Sequence, residues 1–181
     1  MGGGRTVVFL VEASKIREEV LPYLEGRSVV DLGCGGQKIV PWAVGVDDCS
    51  EGPIKELPAV DVRASVAPGG DLAAALGGRR FDVVFSSHTL EHVRAPIGET
   101  LRYWLELVVP GGRLILYLPD ERYYVYDPSN PTARTPTHAH LLTRDTFVWH
   151  LEQVPNLEIE LARMDLGPER YSFLVIARRT G

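Results

Sequence analysis

Basic residues are outnumbered in this chain and never clustered: 19 lysines and arginines stand against 24 aspartates and glutamates, for a formal net charge of −5. Nucleic-acid binding needs a basic stripe, so no nucleic-acid partner is expected. An anionic membrane surface finds nothing to hold either, and no membrane partner is expected. Cysteine is scarce, with only Cys34 and Cys49. Two cysteines make no disulfide framework, so a reducing, cytoplasmic compartment is the simpler expectation. Neither sits in a CxxC pair, which argues against a zinc site built on thiolates. No apolar run is long enough to span a bilayer. Glu12 interrupts the apolar start too soon for a signal peptide. Gly2 with Thr6 matches the loose myristoylation pattern, which a glycine-rich start satisfies by accident. Repeats and dividing linkers are also lacking.

What remains is a chain of 181 residues, 45% hydrophobic, sized for one domain with a real core. Residues 12–25 carry Ile16, Val20, Leu21 and Leu24 at helical spacing, with Pro22 set to kink or shorten the helix. Strands are expected at 28–32, 43–47, 60–66, 81–87 and 113–118. A short helix is expected at 71–76 with Asp71 as N-cap, and a longer one at 96–108. A further helix follows Arg144. Residues 157–164 and 171–178 read as a closing pair of strands. Alternating strands and helices predict an α/β fold with a mostly parallel, seven-stranded sheet and a C-terminal antiparallel hairpin. The connections flanking 43–47 are short and broken by prolines, so loops rather than helices are expected there. The single domain divides into an N-terminal extension and helix (1–27), a core (28–118), a long loop (119–142), and a C-terminal helix and hairpin (143–181).

The strongest motif is VVDLGCGG at 29–36, a buried strand that stops in glycines. Glycine lets the backbone bend sharply and approach a ligand with no Cβ in the way. Asp47, ending the second strand, is placed to accept from both hydroxyls of a ribose. A dinucleotide site would read G-x-G-x-x-G, with an acid about 20 residues on and a helix N-terminus aimed at the phosphates. Here the glycines read G-x-G-G, Asp47 comes sooner, and residues 37–42 offer no good helix. A nucleoside ligand without phosphates fits better.

Taken together, VVDLGCGG, VGVDD, FDVVFSSHTLEHV and LVVPGGRLILYLPD resemble the class I S-adenosylmethionine-dependent methyltransferases, over roughly residues 28–180. The likeness is nearest to the small, capless form of the group known as type 11. Gln37 stands where the family usually has a third glycine. The resemblance implies that Asp31 and the backbone of Gly33, Cys34 and Gly35 meet the amino-acid end of S-adenosylmethionine. It implies that Asp47 holds the ribose beside Asp48. It puts Asp61 and Val62 after the third strand, flanking the adenine, and Ser86, Ser87 and His88 near the sulfonium.

Four of the five histidines follow strand ends on one rim of the sheet. His88, His92, His138 and His140 are the catalytic candidates, and His150 is structural. In the leading reading no metal is used, and one histidine, His88 first, takes a proton from the acceptor. A second reading places a divalent metal on His88, Glu91, His92 and His138 or His140. That spacing is similar to the metal site of the small-RNA 2′-O-methyltransferases, where a glutamate stands at the position of His88. A third makes 90–93 simply a helix start. Residues 119–137 bring Tyr123, Tyr124, Tyr126, Arg122 and Arg134 for stacking on an acceptor or pairing with its anionic group. The loop could equally dock on the sheet, and it or a homodimer partner would close the pocket. The expected activity is methyl transfer to a small-molecule acceptor, on a sugar or natural-product oxygen. A non-catalytic cofactor-binding module and a nicotinamide-dependent oxidoreductase are the alternatives.

Overall fold

The computed structural model describes residues 12–50, 58–123, 138–167 and 170–181. Within them, seven strands form one sheet: β1 (Val29–Leu32), β2 (Val44–Asp47), β3 (Val62–Arg63), β4 (Phe81–Ser87), β5 (Val108–Pro119), β6 (Leu157–Gly167) and β7 (Arg170–Arg179). Their spatial order is β3-β2-β1-β4-β5-β7-β6. The first five run parallel, and β7 lies antiparallel between β5 and β6. The expected parallel sheet and closing antiparallel pair are both present.

The central strands are buried on both faces, which is why they read as unbroken apolar runs. Side chains alternate between the two faces with period two. Val30, Leu32, Val84, Leu114, Leu116, Phe173 and Val175 enter one core. Val29, Val83, Phe85, Ile115, Tyr117, Leu174 and Ile176 enter the other. The first core is covered by α2 (Leu72–Ala75), α3 (Ile97–Leu105) and α4 (Arg144–Glu152). In α3, Ile97, Leu101, Trp104 and Leu105 fall on one buried stripe. Trp104 Nε1 donates to Val66 O at 2.8 Å, tying that helix to the segment after β3. Helix α4 starts at a capping box in which Thr143 and Thr146 satisfy each other's backbone N–H groups.

The second core is covered by α1 (Arg17–Leu24) and by the connection from β1 to β2. That connection, residues 33–43, contains turns and no helix. Ile39, Val40 and Ala43 are packed where a crossover helix would otherwise lie. Two side chains pin it: Asp31 Oδ2 accepts from Ile39 N–H at 2.6 Å, and Arg17 Nε donates to Ile39 O at 2.7 Å.

Local departures from expectation have physical reasons. The helix foreseen over 12–25 is a 3₁₀ turn (Glu12–Lys15) followed by α1, with Pro22 confined to its last turn. Asp71 makes no side-chain cap bond. Strand β3 spans two residues rather than 60–66, since it is an edge strand paired only with β2. Strand β5 starts at Val108, because Val108 already pairs with Phe81.

The segment leaving β5 is closed at its neck. Fully buried Asp120 accepts from Arg122 Nε at 2.9 Å and Nη2 at 2.8 Å, and from Arg144 N–H at 2.9 Å. Glu121 N–H donates to Leu142 O at 2.8 Å. Burial pushes the Asp120 carboxyl up, but the Arg122 guanidinium and the backbone N–H groups outweigh it and hold it below the usual range.

Candidate active site

A cavity of about 520 Å³ lies beyond the carboxyl ends of β1 to β4. Open α/β sheets bind ligands at this edge. Gly33 contributes from the bend after β1, and Asp47, Asp48 and Ser50 from the end of β2. Ser65, Val66 and Ala67 follow β3; His88, Thr89, His92, Val93 and Arg94 follow β4.

The bend is built from backbone bonds. Gly33 N–H and Cys34 N–H both donate to Val46 O, at 2.8 and 3.1 Å. Gly33 has φ +72°, and a Cβ there would stand 2.1 Å from Thr89 Oγ1. Glycine is therefore demanded by the turn and by Thr89 packed across it. Asp47 is half-buried at the cavity wall. Its Oδ2 accepts from Gly35 N–H at 3.1 Å and its Oδ1 from Cys49 N–H at 2.7 Å. Those two bonds hold the carboxylate in place and leave lone pairs for a ligand.

Asp31 occupies a different position. It is 2% exposed, does not line the cavity, and faces Ile39. Burial pushes its carboxyl up to about 7, against the Ile39 N–H bond and the charges of Lys38 and Arg17. Its place is that of a brace under the bend rather than a wall of the cavity. The Cys34 thiol also points away, toward Ala59 O at 3.7 Å. Burial, with Asp31, Asp47 and Asp61 adding to it, pushes that thiol up to about 12.

Asp61 and Val62 need correction. Asp61 precedes β3 instead of following it, and its Oδ2 accepts from Lys38 Nζ at 2.9 Å and Gly45 N–H at 2.8 Å. Val62 lies on β3 and packs against the core. Neither lines the cavity; Ser65, Val66 and Ala67 stand there instead. Ser86 is fully buried and bridges β4 to Leu32 O at 2.8 Å. The Ser87 hydroxyl is buried as well, with no hydrogen bond among the described residues.

His88 sits at φ +50°, a left-handed conformation that non-glycine residues adopt at some cost. The kink turns its ring toward β7, where Nε2 meets Ser172 Oγ at 2.9 Å. Glu12 and Glu91 lie 3.7 and 3.6 Å from its nitrogens. Burial first, then Lys15, His138 and His92, lower its pKa to about 3. A ring so reluctant to hold a proton makes a poor general base at neutral pH. His92 lines the cavity and stacks edge-to-face on His138, with ring centroids 4.8 Å apart. His140 is drawn elsewhere, its Nε2 donating to Ala95 O at 3.0 Å.

Arg122, expected to meet an acceptor anion, is bound to Asp120. Gly2, Thr6, Tyr124, Tyr126 and Arg134 lie outside the described residues. Sequence reading missed Thr89, Ser65 and Arg94 at the cavity and Ser172 behind it. Thr89, inside the HTLEH run, and Arg94, directly after it, stood beside a motif that could have pointed to them.

A family model described as a methyltransferase domain matches residues 10–159. The chain belongs to that family. By family and fold it is a class I S-adenosylmethionine-dependent methyltransferase, as the order of its motifs predicted. The methyltransferase is similar to a solved S-adenosylmethionine-dependent methyltransferase from Mesorhizobium loti, at TM-score 0.64 and 17% identity, covering 93% of this chain and 98% of that one. A magnesium protoporphyrin IX methyltransferase from Synechocystis PCC 6803, solved with bound S-adenosylhomocysteine, aligns at TM-score 0.62 and 17% identity, covering 93% and 82%. A curated relative, the tRNA U34 carboxymethyltransferase of Sodalis glossinidius (strain morsitans), is 35% identical over 117 residues, 55% of this chain. The match spans about a third of that relative's length, 35%.

Proposed function

We propose that this methyltransferase acts on an oxygen of a small or medium acceptor, such as a sugar or natural-product scaffold, and that Asp47 and the bend at Gly33 hold the cofactor. The observation that carries the reading is the Asp47 carboxylate, fixed by two backbone N–H groups at the wall of a cavity at the sheet's ligand edge. The residues present fit the group. Asp47 and Asp48 give the wall negative charge, which suits a cationic sulfonium and opposes a pyrophosphate. The described residues after β1 offer no helix N-terminus for phosphates, so a nicotinamide dinucleotide is disfavoured. Our reading assigns the adenine to the side of the cavity lined by Ser65, Val66 and Ala67.

Bound there, S-adenosylmethionine supplies an electrophilic methyl carbon and leaves as the neutral thioether. The chain's part is to align the acceptor in line with that carbon and to exclude water. His88 and His92 both line the cavity, and with His88 Nε2 engaged by Ser172 Oγ our reading gives the acceptor to His92. The curated relative's name assigns it to tRNA; the net charge of −5 here gives little support to an RNA acceptor.

Calorimetry with S-adenosylhomocysteine and with nicotinamide dinucleotides tests the cofactor, and release of S-adenosylhomocysteine across hydroxylated small molecules tests the acceptor. Binding of the nicotinamide compound alone would reverse the assignment. Tight S-adenosylhomocysteine binding without turnover on any acceptor would favour a non-catalytic binding module.

A further inference from the structure

Resting on the methyl-transfer reading, we propose that Arg94 selects an acceptor that carries an anionic group, a carboxylate or a phosphate, apart from the hydroxyl it offers. Arg94 is the one lysine or arginine among the described residues that line the cavity. Its side chain is exposed, and among the described residues no hydrogen bond or ion pair holds the guanidinium. That stands out in a chain where 24 carboxylates face 19 basic residues. Arg122, the arginine expected to meet an acceptor, is held by Asp120. Arg113, Arg144, Arg163, Arg170 and Arg178 are held by acids as well.

Charge divides the cavity in two. Asp47 and Asp48 stand at the exit of β2, and Arg94 stands beyond the exit of β4, two residues after His92. Strand β1 lies between β2 and β4, so the two exits are two strand spacings apart, about 10 Å. The acidic side suits a cationic cofactor, and a free guanidinium on the other side suits a negative charge on its reaction partner. An anionic acceptor is repelled by Asp47 and Asp48 and drawn to Arg94, which sets its direction in the cavity.

The position is built, although the side chain is exposed. Leu90–His92 form a 3₁₀ turn directly after β4, and Val93, 6% exposed, closes it with its N–H on Leu90 O at 3.1 Å. On the other side, His140 Nε2 donates to Ala95 O at 3.0 Å. Pro96 O accepts from Glu99 and Thr100 N–H, both at 3.0 Å, as α3 begins. The backbone of Arg94 is therefore held from both directions, and the side chain alone is left to reach. His140 thereby gains a task as a positioning residue, holding the carbonyl next to Arg94.

A guanidinium offers a planar fork of N–H donors that fits two oxygens of a carboxylate or phosphate. Pairing draws electron density from those oxygens, so the group on Arg94 is the handle and a separate hydroxyl takes the methyl group. A neutral acceptor leaves the guanidinium to water and gains nothing from it. Contact with a group remote from the reacting atoms holds ground state and transition state alike, so the discrimination falls on KM and scarcely on kcat.

The test uses the full chain and two pairs of hydroxylated probes, 4-hydroxybenzoate with 4-hydroxybenzamide and glucose 6-phosphate with glucose. Calorimetry measures their binding with and without S-adenosylhomocysteine, and release of S-adenosylhomocysteine measures turnover. Wild type should prefer the anionic member of at least one pair by ~10-fold or more, and the pair that responds tells carboxylate from phosphate. Arg94→Gln should bring the anionic member down to the level of the neutral one, with KM raised and kcat little changed, and Arg94→Lys should restore part of the preference. His140→Ala should raise KM for the anionic member more than for the neutral one, by a smaller factor than Arg94→Gln. His140→Gln, which can still donate to Ala95 O, should behave as wild type; equal loss for both members would strike His140 from the proposal. No preference in either pair, or an undiminished preference in Arg94→Gln, overturns the anionic acceptor and leaves the methyltransferase reading intact. Failure to bind S-adenosylhomocysteine, with the anionic preference kept by the chain alone, overturns the functional reading and leaves the role of Arg94.

Discussion

Asp31 and Asp47 flank the same glycine bend, on adjacent parallel strands, and their surroundings are opposite. Asp31 sits inside its strand, almost fully covered, with Ile39 N–H on one oxygen. Asp47 ends its strand at the cavity wall, with one backbone N–H on each oxygen. One burial step separates a carboxylate that supports the bend from one that can meet a ligand. The pair shows that an acidic residue beside a glycine turn has no role until its depth in the sheet is known.

The largest effect should come from removing the buried charge. The Asp31 carboxyl titrates at about 7 in the folded protein against an ordinary 3.8. The folded state thus holds its proton more tightly than the unfolded chain. Stability from this group is complete below about pH 4, is lost as pH rises through 7, and stays lost above. Asp31→Asn keeps an oxygen acceptor for Ile39 N–H and removes that loss. It should be more stable than wild type at pH 8, by about 4 kcal/mol at most, and equal near pH 4. Denaturant melts at both pH values decide it; a constant difference across pH would show that Asp31 is not the titrating group.

Asp47→Ala should do the reverse. S-adenosylhomocysteine affinity is expected to fall about 100-fold, since a charged acceptor to ligand hydroxyls is lost, with about 1 kcal/mol of stability lost from the Gly35 and Cys49 N–H groups it releases. Calorimetry beside a thermal melt separates the two readouts. Affinity within threefold of wild type would end Asp47's role as the ribose holder.

Asp31→Ala at pH 5, where wild-type Asp31 is protonated, leaves Ile39 N–H buried without its acceptor. A loss of about 2 kcal/mol is expected in denaturant unfolding. Arg17→Ala releases the same connection from its other side, where Arg17 Nε holds Ile39 O and Nη2 holds Lys38 O. That position is half-exposed, and a loss of about 1 kcal/mol is expected. If Asp31→Ala proves harmless while Arg17→Ala is severe, the brace runs through the arginine.

Much of this was readable in the residues, and the rest was not for stated reasons. The run over 81–87 is a strand from end to end, because both faces are apolar and glycine, arginine and histidine bound it. The loop at 33–43 was foreshadowed by its proline and its shortness. The depth of Asp31 was not, since alternation along a strand places it on a face but does not say what covers that face. The start of β3 was equally hidden. Polar and apolar residues alternate across 60–66, so the pattern offers no reason to end the strand at Arg63 or to put Asp61 outside it. Three of the four rim histidines do gather, with His88 and His92 on the wall and His138 against His92. Backbone bonds from Ala139 and His140 N–H to Glu91 O, with Glu121 on His138 Nδ1, accompany His138 coming in while His140 turns to Ala95, and no pattern along the sequence reports that.

Asp120 ties the outgoing and returning ends of the segment after β5 to each other, through Arg122 and Arg144 N–H. That carboxylate fixes the point at which the connection between β5 and α4 closes. Doubling the length of a chain closed at such a base adds only about 0.6 kcal/mol in entropy. Where such a base is fixed, a change in the length of the connection costs the sheet little.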